Sequence, residues 1–221
     1  MSTPSIAQQV DEFNGGFEAQ IGDRLASVFA GEQSDLRDAG VPSHALAVGD
    51  HAPDAELLTA DAAPTSFAAA RAGAAAVVVF YRGAWCPYCN ITLRTYQQEL
   101  LPALRDRGVA LIAVSPQTPE GSTQTVTNGS LEFTVLSDPA NALAAGFGIV
   151  TEPSSAARQA HTELGFDVAD SNADDTARIP FPSVYVIDAD GTIRFADVHV
   201  DYTTRTEADE ILAAVDRLQQ N

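Results

Sequence analysis

A continuous apolar run followed by a helical pattern is the clearest local signal in the chain. Residues 75–81 are all apolar and rich in valine, which predicts a strand buried on both faces. Beyond Cys86, apolar residues recur every three or four positions, at Ile91, Leu93, Tyr96, Leu100, Leu101 and Leu104. This spacing predicts a helix over residues 86–107, and Pro87 fits its first turn, where the missing N–H costs nothing.

Strands and helices alternate from about residue 48 onward. The predicted strands are 75–81, 109–115, 133–136, 184–188 and 192–197. The other predicted helices are 119–128, 141–147 and 207–219. This order predicts an α/β fold with a central mixed sheet. The Asp190-Gly191 pair predicts a tight hairpin between the last two strands, and the polar, acidic segment 152–178 is predicted to be a long surface insertion.

Residues 1–45 are predicted to form a separate helical arm ahead of a domain that spans 46–221. Its apolar residues recur at helical spacing and predict one or two amphipathic helices: Ile6, Val10, Phe13, Phe17, Ile21, Leu25 and Phe29. We expect Gly15-Gly16 to break or kink this pattern. The arm is expected either to pack on its own domain or to pair with a second subunit, which leaves a homodimer open.

Composition excludes several classes of partner. The chain has 221 residues, 45% of them hydrophobic, enough for one domain of ordinary core size plus the arm. All twelve basic residues are arginines, and thirty acids give a net charge of −18. No basic cluster could follow a phosphate backbone, so we expect neither nucleic acid nor an anionic membrane as a partner.

The N-terminal residues lack the features of a secretory signal, and no apolar run could span a bilayer, so we expect a cytoplasmic location.

The two cysteines, Cys86 and Cys89, lie at the predicted junction between strand and helix. Unpaired N–H groups and the positive dipole end at a helix N-terminus stabilise a thiolate, the form of cysteine that attacks disulfides and peroxides. A lone C-x-x-C in a βαβ setting therefore predicts dithiol redox chemistry, with no cofactor and no metal expected. A structural zinc site is the main alternative. It needs four ligands, and none of the four histidines, to which we assign no role, forms an H-x3–5-H pair.

Several local sequences point to one family. The specific ones are FYRGAWCPYCN at residues 80–90 and DYTTR at 201–205. The suggestive ones are GDHAPD at 49–54, SPQT at 115–118, LSDP at 136–139, FGI at 147–149 and PSVYVID at 182–188. In these segments the chain resembles the alkyl hydroperoxide reductase/thiol-specific antioxidant (AhpC/TSA) family, in its peroxiredoxin-like branch that carries C-x-x-C. The resemblance implies a thioredoxin-like fold, here with an N-terminal helical extension, and an antioxidant role.

The catalytic pattern of peroxiredoxins, P-x-x-x-T/S-x-x-C, is only partly present. Arg82 replaces its proline and Cys86 its threonine or serine, while Cys89 falls on the cysteine that attacks peroxide. Pro182 lies where peroxiredoxins carry an arginine that holds the thiolate and the peroxide. The thioredoxin pattern W-C-x-x-C fits more of these positions. It makes Cys86 the exposed nucleophile and Cys89 the resolving cysteine.

The resemblance to thioredoxin also implies roles for the neighbouring residues. Pro182 is expected to be the cis-proline that faces the dithiol and shapes substrate docking. Trp85, Pro87 and Tyr88 are assigned to substrate binding, although Trp85 fits a core position equally well. Arg82 is assigned as a source of positive charge beside the thiolate. Finally, three residues after the last strand are expected to cap the final helix and anchor its loop: Asp201, Tyr202 and Arg205.

The predicted function is therefore that of a peroxiredoxin-like dithiol oxidoreductase that cycles a Cys86–Cys89 disulfide. Disulfides are the favoured substrate, and hydroperoxides are a close second. The partner would be a thiol electron donor, either a thioredoxin-like protein or a low-molecular-weight thiol. Two alternatives stay open. One is a thiol peroxidase in which Cys89 attacks peroxide, and the other is a non-enzymatic redox-sensing module whose exposed arm and acidic insertion bind a partner.

Overall fold

A seven-stranded mixed sheet forms the centre of the computed structural model, which describes residues 4–218. The strands are β1 (Glu56–Thr59), β2 (Pro64–Ser66), β3 (Ala76–Phe80), β4 (Ala110–Ser115), β5 (Thr134–Ser137), β8 (Ser183–Ile187) and β9 (Ile193–Val198), in the order β2-β1-β5-β4-β3-β8-β9. A separate pair consists of β6 (Val150–Thr151) and β7 (Ile179–Pro180). Strands β3, β4 and β5 are parallel, and all other pairs are antiparallel. This mixed sheet with helices on both faces is the predicted α/β fold.

Helices cover both faces of the sheet. They are α1 (Ile6–Ile21), α2 (Asp23–Ala39), α3 (Phe67–Arg71), α4 (Pro87–Thr95), α5 (Leu101–Asp106), α6 (Pro119–Gly129), α7 (Ala142–Gly146), α8 (Ser155–Glu163), α9 (Val168–Ser171) and α10 (Ala208–Leu218). Strand β3 shows why the sheet needs two covering layers. Val77 and Val79 belong to the apolar cluster under α1, α4, α5 and α10, while Val78 and Phe80 belong to the cluster on the opposite face. Within residues 4–218, no helix has the length and apolar character that crossing a bilayer requires.

The predicted strands and helices of the central domain are present, with ends that differ by one or two residues. The predicted helix over 86–107 contains one irregular turn, a π-helical segment at Tyr96–Leu100. Pro102, in the first turn of α5, explains it: proline has no N–H for an i→i−4 bond, so the preceding turn widens. The short strands β1, β2, β6 and β7 were not predicted, and Gln219, the predicted end of the last helix, lies outside the described residues.

The N-terminal arm contains two helices, but the predicted break at Gly15-Gly16 is wrong. Helix α1 continues through both glycines to Ile21, and the chain turns instead at Gly22, whose φ of 79° suits a residue without a side chain. Apolar packing outweighs the low helix propensity of the two glycines. Ile6 and Val10 are buried in the same cluster as the residues of α4.

The segment 152–178, predicted to be a long surface insertion, is largely exposed but helical. It contains α8 and α9, and its buried side chains include Ala157, Ala160, His161, Val168 and Ala177. Small alanines and one histidine form its buried face, so its composition resembles that of a loop. Helix α8 packs on α2, which places the segment beside the arm and above the cysteines.

A carboxylate from the end of the chain fastens the arm. Glu207 accepts hydrogen bonds from the backbone N–H groups of Ile6 (3.0 Å) and Ala7 (2.9 Å), two groups that have no partner within the helix. We expect Glu207→Ala to lower the free energy of unfolding by about 1–2 kcal/mol, as measured by urea denaturation. Glu210→Ala removes the same charge from an exposed position of α10 and is the control. Equal losses in the two variants would contradict the contact.

Candidate active site

The two cysteines are held where β3 gives way to α4. Cys86 is the N-cap of α4, Pro87 opens the helix, and Cys89 lies in its first turn. Side chains from two elements fix the loop that leads to Cys86. The Ala84 N–H donates to Oε1 of Gln117 (2.7 Å), and Nδ2 of Asn90 donates to the Ala84 carbonyl (2.8 Å). These two contacts hold the loop that leads to Cys86 before any ligand is bound.

Gly83 is required for this loop. Its φ is 156°, and a Cβ at this position would lie 2.4 Å from Nε1 of Trp85, closer than any side chain tolerates. The indole therefore packs directly on backbone. It lies between Phe166 and His161 on one side and Arg82 on the other, so Trp85 is partly buried without being an ordinary core residue.

Arg205 makes the closest charged contact with either sulfur. Its Nη2 donates to Sγ of Cys89 at 3.2 Å, and its Nη1 donates to the carbonyls of Tyr202 and Thr204 (2.6 Å each), which holds the guanidinium in place. Among residues 4–218, no carboxylate forms an ion pair with Arg205. Its charge is therefore directed at the cysteines. The sequence predicted only that Arg205 caps the final helix and anchors its loop, so the contact with Cys89 was not predicted.

The two thiols differ in acidity. Burial opposes a charge on Cys89, but a hydrogen bond from Cys86, the positive charge of Arg205 and a backbone hydrogen bond from Arg82 outweigh it. Together they hold the pKa of Cys89 well below its usual value. Burial, together with the hydrogen bond to Cys89 and the negative charge there, raises the pKa of Cys86 well above its usual value. Of the two thiols, Cys89 is therefore the one whose ionised form is favoured.

Arg82 is itself buried, with only 5% of its surface exposed. Its guanidinium lies 4.2 Å from the centre of the Tyr202 ring and 5.0 Å from that of Trp85. Its positive charge lowers the pKa of both cysteines, although it is not the largest influence on either. This arrangement agrees with the charge-supplying role that the sequence suggested for Arg82.

A cavity of about 650 Å³ opens over Cys86. Its walls combine the arm, the first turn of α4 and the segment after α8, and its aromatic side chains are Phe13, Phe17, Phe29, Trp85, Tyr88, Phe166 and Tyr202. Tyr88 also fastens the arm, because its hydroxyl donates to Oδ1 of Asn14 at 2.8 Å. Of the predicted site residues, Cys86, Arg82, Trp85, Pro87 and Tyr88 line this cavity. Among the described residues, its lining does not include Cys89 or Pro182.

The expected cis peptide bond before Pro182 is absent: this bond is trans, as are all others between residues 4 and 218. Pro182 lies at the start of β8, beside a small void that it shares with Arg82 and Tyr202. Its carbonyl accepts from the His199 N–H at 2.9 Å. The trans form is the ordinary one for proline. The place of Pro182 in the order of strands and helices was therefore not enough to predict a cis bond.

Sequence reasoning missed His161 as part of this site. Its ring lies 5.7 Å from Trp85, 5.2 Å from Phe29 and 4.8 Å from Phe166, between centres. Burial and the charge of Arg82 lower the pKa of His161 to about 4, with Asp167 acting in the opposite direction. No spacing rule relates residue 161 to residue 85. The only sequence signal was helical: Ala157, Ala160 and His161 share one face of α8.

This histidine should make stability depend on pH. Its pKa is lower in the folded than in the unfolded chain, so the unfolded chain binds more protons between about pH 6.5 and 4. Stabilisation by the neutral ring is therefore complete above about pH 6.5 and is lost as pH falls toward 4, by about 3 kcal/mol. We expect His161→Phe to lack this part of the acid dependence in denaturation curves recorded across that range. Parallel pH dependence in the two proteins would contradict the assignment.

Comparison with known proteins shows the family of the chain. The sequence model of the AhpC/TSA family matches residues 48–196. No curated protein matches the chain. Similar solved structures include a peroxiredoxin-like protein from Aquifex aeolicus, 18% identical with a TM-score of 0.63, covering 80% of this chain and 91% of that one. AhpC from Mycobacterium tuberculosis is 20% identical with a TM-score of 0.59, covering 79% and 99%.

A third similar structure is the peroxidoxin BcpB of Mycobacterium tuberculosis, 18% identical with a TM-score of 0.59, covering 77% of this chain and 97% of that one. At these identities, the solved structures establish the fold, and the family model establishes the relationship. The predicted resemblance and the predicted fold are both confirmed. The chain belongs to the AhpC/TSA family and is a thiol-dependent oxidoreductase.

Proposed function

We propose that the protein reduces hydroperoxides, with Cys89 as the attacking thiolate and Cys86 as the resolving thiol. The observation that carries this proposal is the contact of 3.2 Å between Arg205 and Sγ of Cys89. It reverses the order of attack that the W-C-x-x-C pattern suggested. A nucleophile must be ionised at neutral pH, and the pKa of Cys89 is lowered where that of Cys86 is raised.

The first chemical step uses the charge of Arg205 twice. The Cys89 thiolate attacks one oxygen of the hydroperoxide, the O–O bond breaks, and the electron pair leaves with the other oxygen as an alkoxide or hydroxide. This leaving anion takes a proton and becomes an alcohol or water, while Cys89 becomes a sulfenic acid. The guanidinium that stabilised the thiolate lies beside the reacting sulfur and stabilises the negative charge that moves to the oxygen.

The second step closes the dithiol. The sulfur of Cys86 attacks the sulfur of the Cys89 sulfenic acid, the S–O bond breaks, and water and a Cys86–Cys89 disulfide form. Cys86 is well placed for this role because it already donates a hydrogen bond to the Cys89 thiolate. Both cysteines are free in this structure.

Arg205 also accounts for the departure from the peroxiredoxin pattern at Pro182. An arginine at residue 182 would approach the thiolate from β8, whereas here Arg205 reaches it from the segment between β9 and α10. The positive charge that peroxide reduction needs is thus supplied from another part of the chain.

The redox-sensing alternative loses its basis, because the arm and the segment 152–178 are packed over the cysteines.

A cytoplasmic location also belongs to this proposal. A catalytic disulfide must be reduced again after each turnover, and a reducing compartment supplies the thiols for that step. The electron donor required by the cycle fits such a compartment.

A rapid-mixing experiment tests the choice of substrate. Trp85 is the sole tryptophan and lies beside Arg82 and Cys86, so its fluorescence reports on the dithiol. Reduced protein is mixed with hydrogen peroxide and, separately, with an equal concentration of hydroxyethyl disulfide. We expect the fluorescence change with peroxide to be faster by about a hundredfold, because the ionised sulfur is the one beside Arg205. A fast reaction with the disulfide and a slow one with peroxide would establish attack by Cys86 and overturn the proposal.

A further inference from the structure

The cavity over Cys86 is built largely from a part of the chain that lies outside the family match. Helices α1 and α2 precede residue 48, where that match begins, and they contribute Phe13, Phe17 and Phe29 to the cavity wall. A volume of about 650 Å³ lies within the range of small-molecule sites. Such a cavity is larger than the oxidation of a thiol by hydrogen peroxide requires, and it has room for an organic molecule.

We propose that this cavity binds a low-molecular-weight thiol, the reductant that returns the Cys86–Cys89 disulfide to the dithiol. The inference rests on the proposed function, because it assigns the second half of that catalytic cycle. It also chooses between the two electron donors that the sequence left open, a thioredoxin-like protein and a small thiol.

The positions of the two sulfurs set the direction of this step. Cys86 lines the cavity, and Cys89 lies behind it against Arg205. The reductant thiolate attacks the Cys86 sulfur, the S–S bond breaks, and Cys89 leaves as the thiolate that Arg205 stabilises. A thiol of low pKa is the better leaving group, so access and acidity select the same sulfur for attack. A second reductant thiolate then attacks the mixed disulfide, releasing the oxidised reductant as a disulfide, and Cys86 takes up a proton.

A folded protein donor would not reach Cys86 in this structure. Each cysteine is only 1% exposed. Disulfide exchange requires the donor sulfur to reach bonding distance of the Cys86 sulfur, in line with the S–S bond that breaks. The contacts that fasten the covering arm include those of Glu207 with the N–H groups of Ile6 and Ala7 and that of Tyr88 with Asn14. A protein thiol would have to displace these contacts together with the buried side chain of Ile6.

The lining of the cavity suits a thiol that has an organic body. Aromatic side chains bury apolar atoms of the occupant, and the guanidinium of Arg82 meets the negative charge of its attacking sulfur. Arg82 lies between the rings of Trp85 and Tyr202, which fixes this charge at the cavity wall next to Cys86. The site therefore orients the reductant as well as admitting it.

The test measures the reductive half of the cycle by itself. The intact chain is oxidised with one equivalent of hydrogen peroxide and mixed with dithiothreitol, cysteine or glutathione, or with reduced thioredoxin. Reduction is followed by Trp85 fluorescence and by alkylation of the free thiols. We expect at least one small thiol to react about tenfold faster than thioredoxin at equal concentration, because access limits the exchange.

Filling the cavity should slow only this half-reaction. Ala26→Phe adds a ring to the cavity wall from α2, and Ala39→Phe adds the same ring at the exposed end of that helix, away from the cavity. We expect Ala26→Phe to slow reduction by the small thiol about tenfold and leave oxidation by peroxide within about twofold, and Ala39→Phe to change neither. Ala30→Phe, at a more exposed position on the same wall, repeats the test if Ala26→Phe lowers the melting temperature.

Two results would overturn the inference. One is faster reduction by thioredoxin than by every small thiol. The other is unchanged reduction of both cavity variants by a small thiol. Neither affects the oxidation of the dithiol by peroxide, so failure of this inference is separable from failure of the proposed function, which would appear in the peroxide step itself.

Discussion

Arg205→Met is expected to slow oxidation of the dithiol by hydrogen peroxide about a hundredfold or more at neutral pH. The guanidinium contributes at two stages, by holding the pKa of Cys89 low and by facing the oxygen that leaves with the negative charge. Without it, one of the influences that oppose burial is lost, so the pKa of Cys89 rises. Methionine fills much of the same space, so loss of packing contributes little. The rate constant is measured by mixing the reduced protein with peroxide and following Trp85 fluorescence.

The pH profile distinguishes this role from a structural one. In the unsubstituted protein the pKa of Cys89 is held low, so we expect the rate constant to change little toward alkaline pH. In Arg205→Met the rate constant should increase with pH as the thiolate forms, and Arg205→Lys should recover part of the rate at neutral pH. Arg194→Met, which removes an equal charge from an exposed ion pair with Asp188, is the control and should react normally. A flat profile and an unchanged rate in Arg205→Met would exclude the assigned role.

The second prediction with a large effect separates the two cysteines. Cys89→Ser should abolish rapid oxidation by peroxide, a loss of at least about a thousandfold, because the remaining sulfur lacks the contact with Arg205 and its burial still raises its pKa. Cys86→Ser should still react with peroxide, since Arg205 and Arg82 act on Cys89 in the absence of a second sulfur. Without a resolving thiol, this variant should stop at the sulfenic acid and make no intramolecular disulfide.

Mass spectrometry distinguishes these products directly. After one equivalent of peroxide and trapping with dimedone, Cys86→Ser should carry one adduct on Cys89, whereas the unsubstituted protein should carry none and lose two hydrogens. Serine at either position keeps a small polar side chain, so the two variants serve as matched controls for each other. Rapid peroxide chemistry in Cys89→Ser together with its absence in Cys86→Ser would assign the attack to Cys86.

The sequence predicted the fold well because its signals are local. The apolar run over β3 and the helical spacing after Cys86 each depend on a few consecutive residues. The errors occurred where contacts between residues far apart in the sequence determine the local structure. Gly15-Gly16 looks like a helix break until Ile6 and Val10 are seen to hold α1 in the core.

The site was only partly predictable for the same reason. Cys86, Cys89 and Arg82 lie within eight residues, so the local motif found them. Arg205 is 116 positions from Cys89 along the chain, and His161 belongs to a segment whose composition resembled a loop. The DYTTR segment was recognised as specific, yet no spacing rule connected its arginine to a sulfur.

The bonds between Glu207 and the first turn of α1 join residues about 200 positions apart. Forming contacts of such long sequence separation costs the conformational entropy that is lost when the loop between the two residues closes. During synthesis, α1 leaves the ribosome long before α10, so the arm cannot be fastened until Glu207 has been made. Arg205 precedes Glu207 by two positions. The contact that activates Cys89 and the contacts that fasten the arm therefore become possible at the same stage of synthesis.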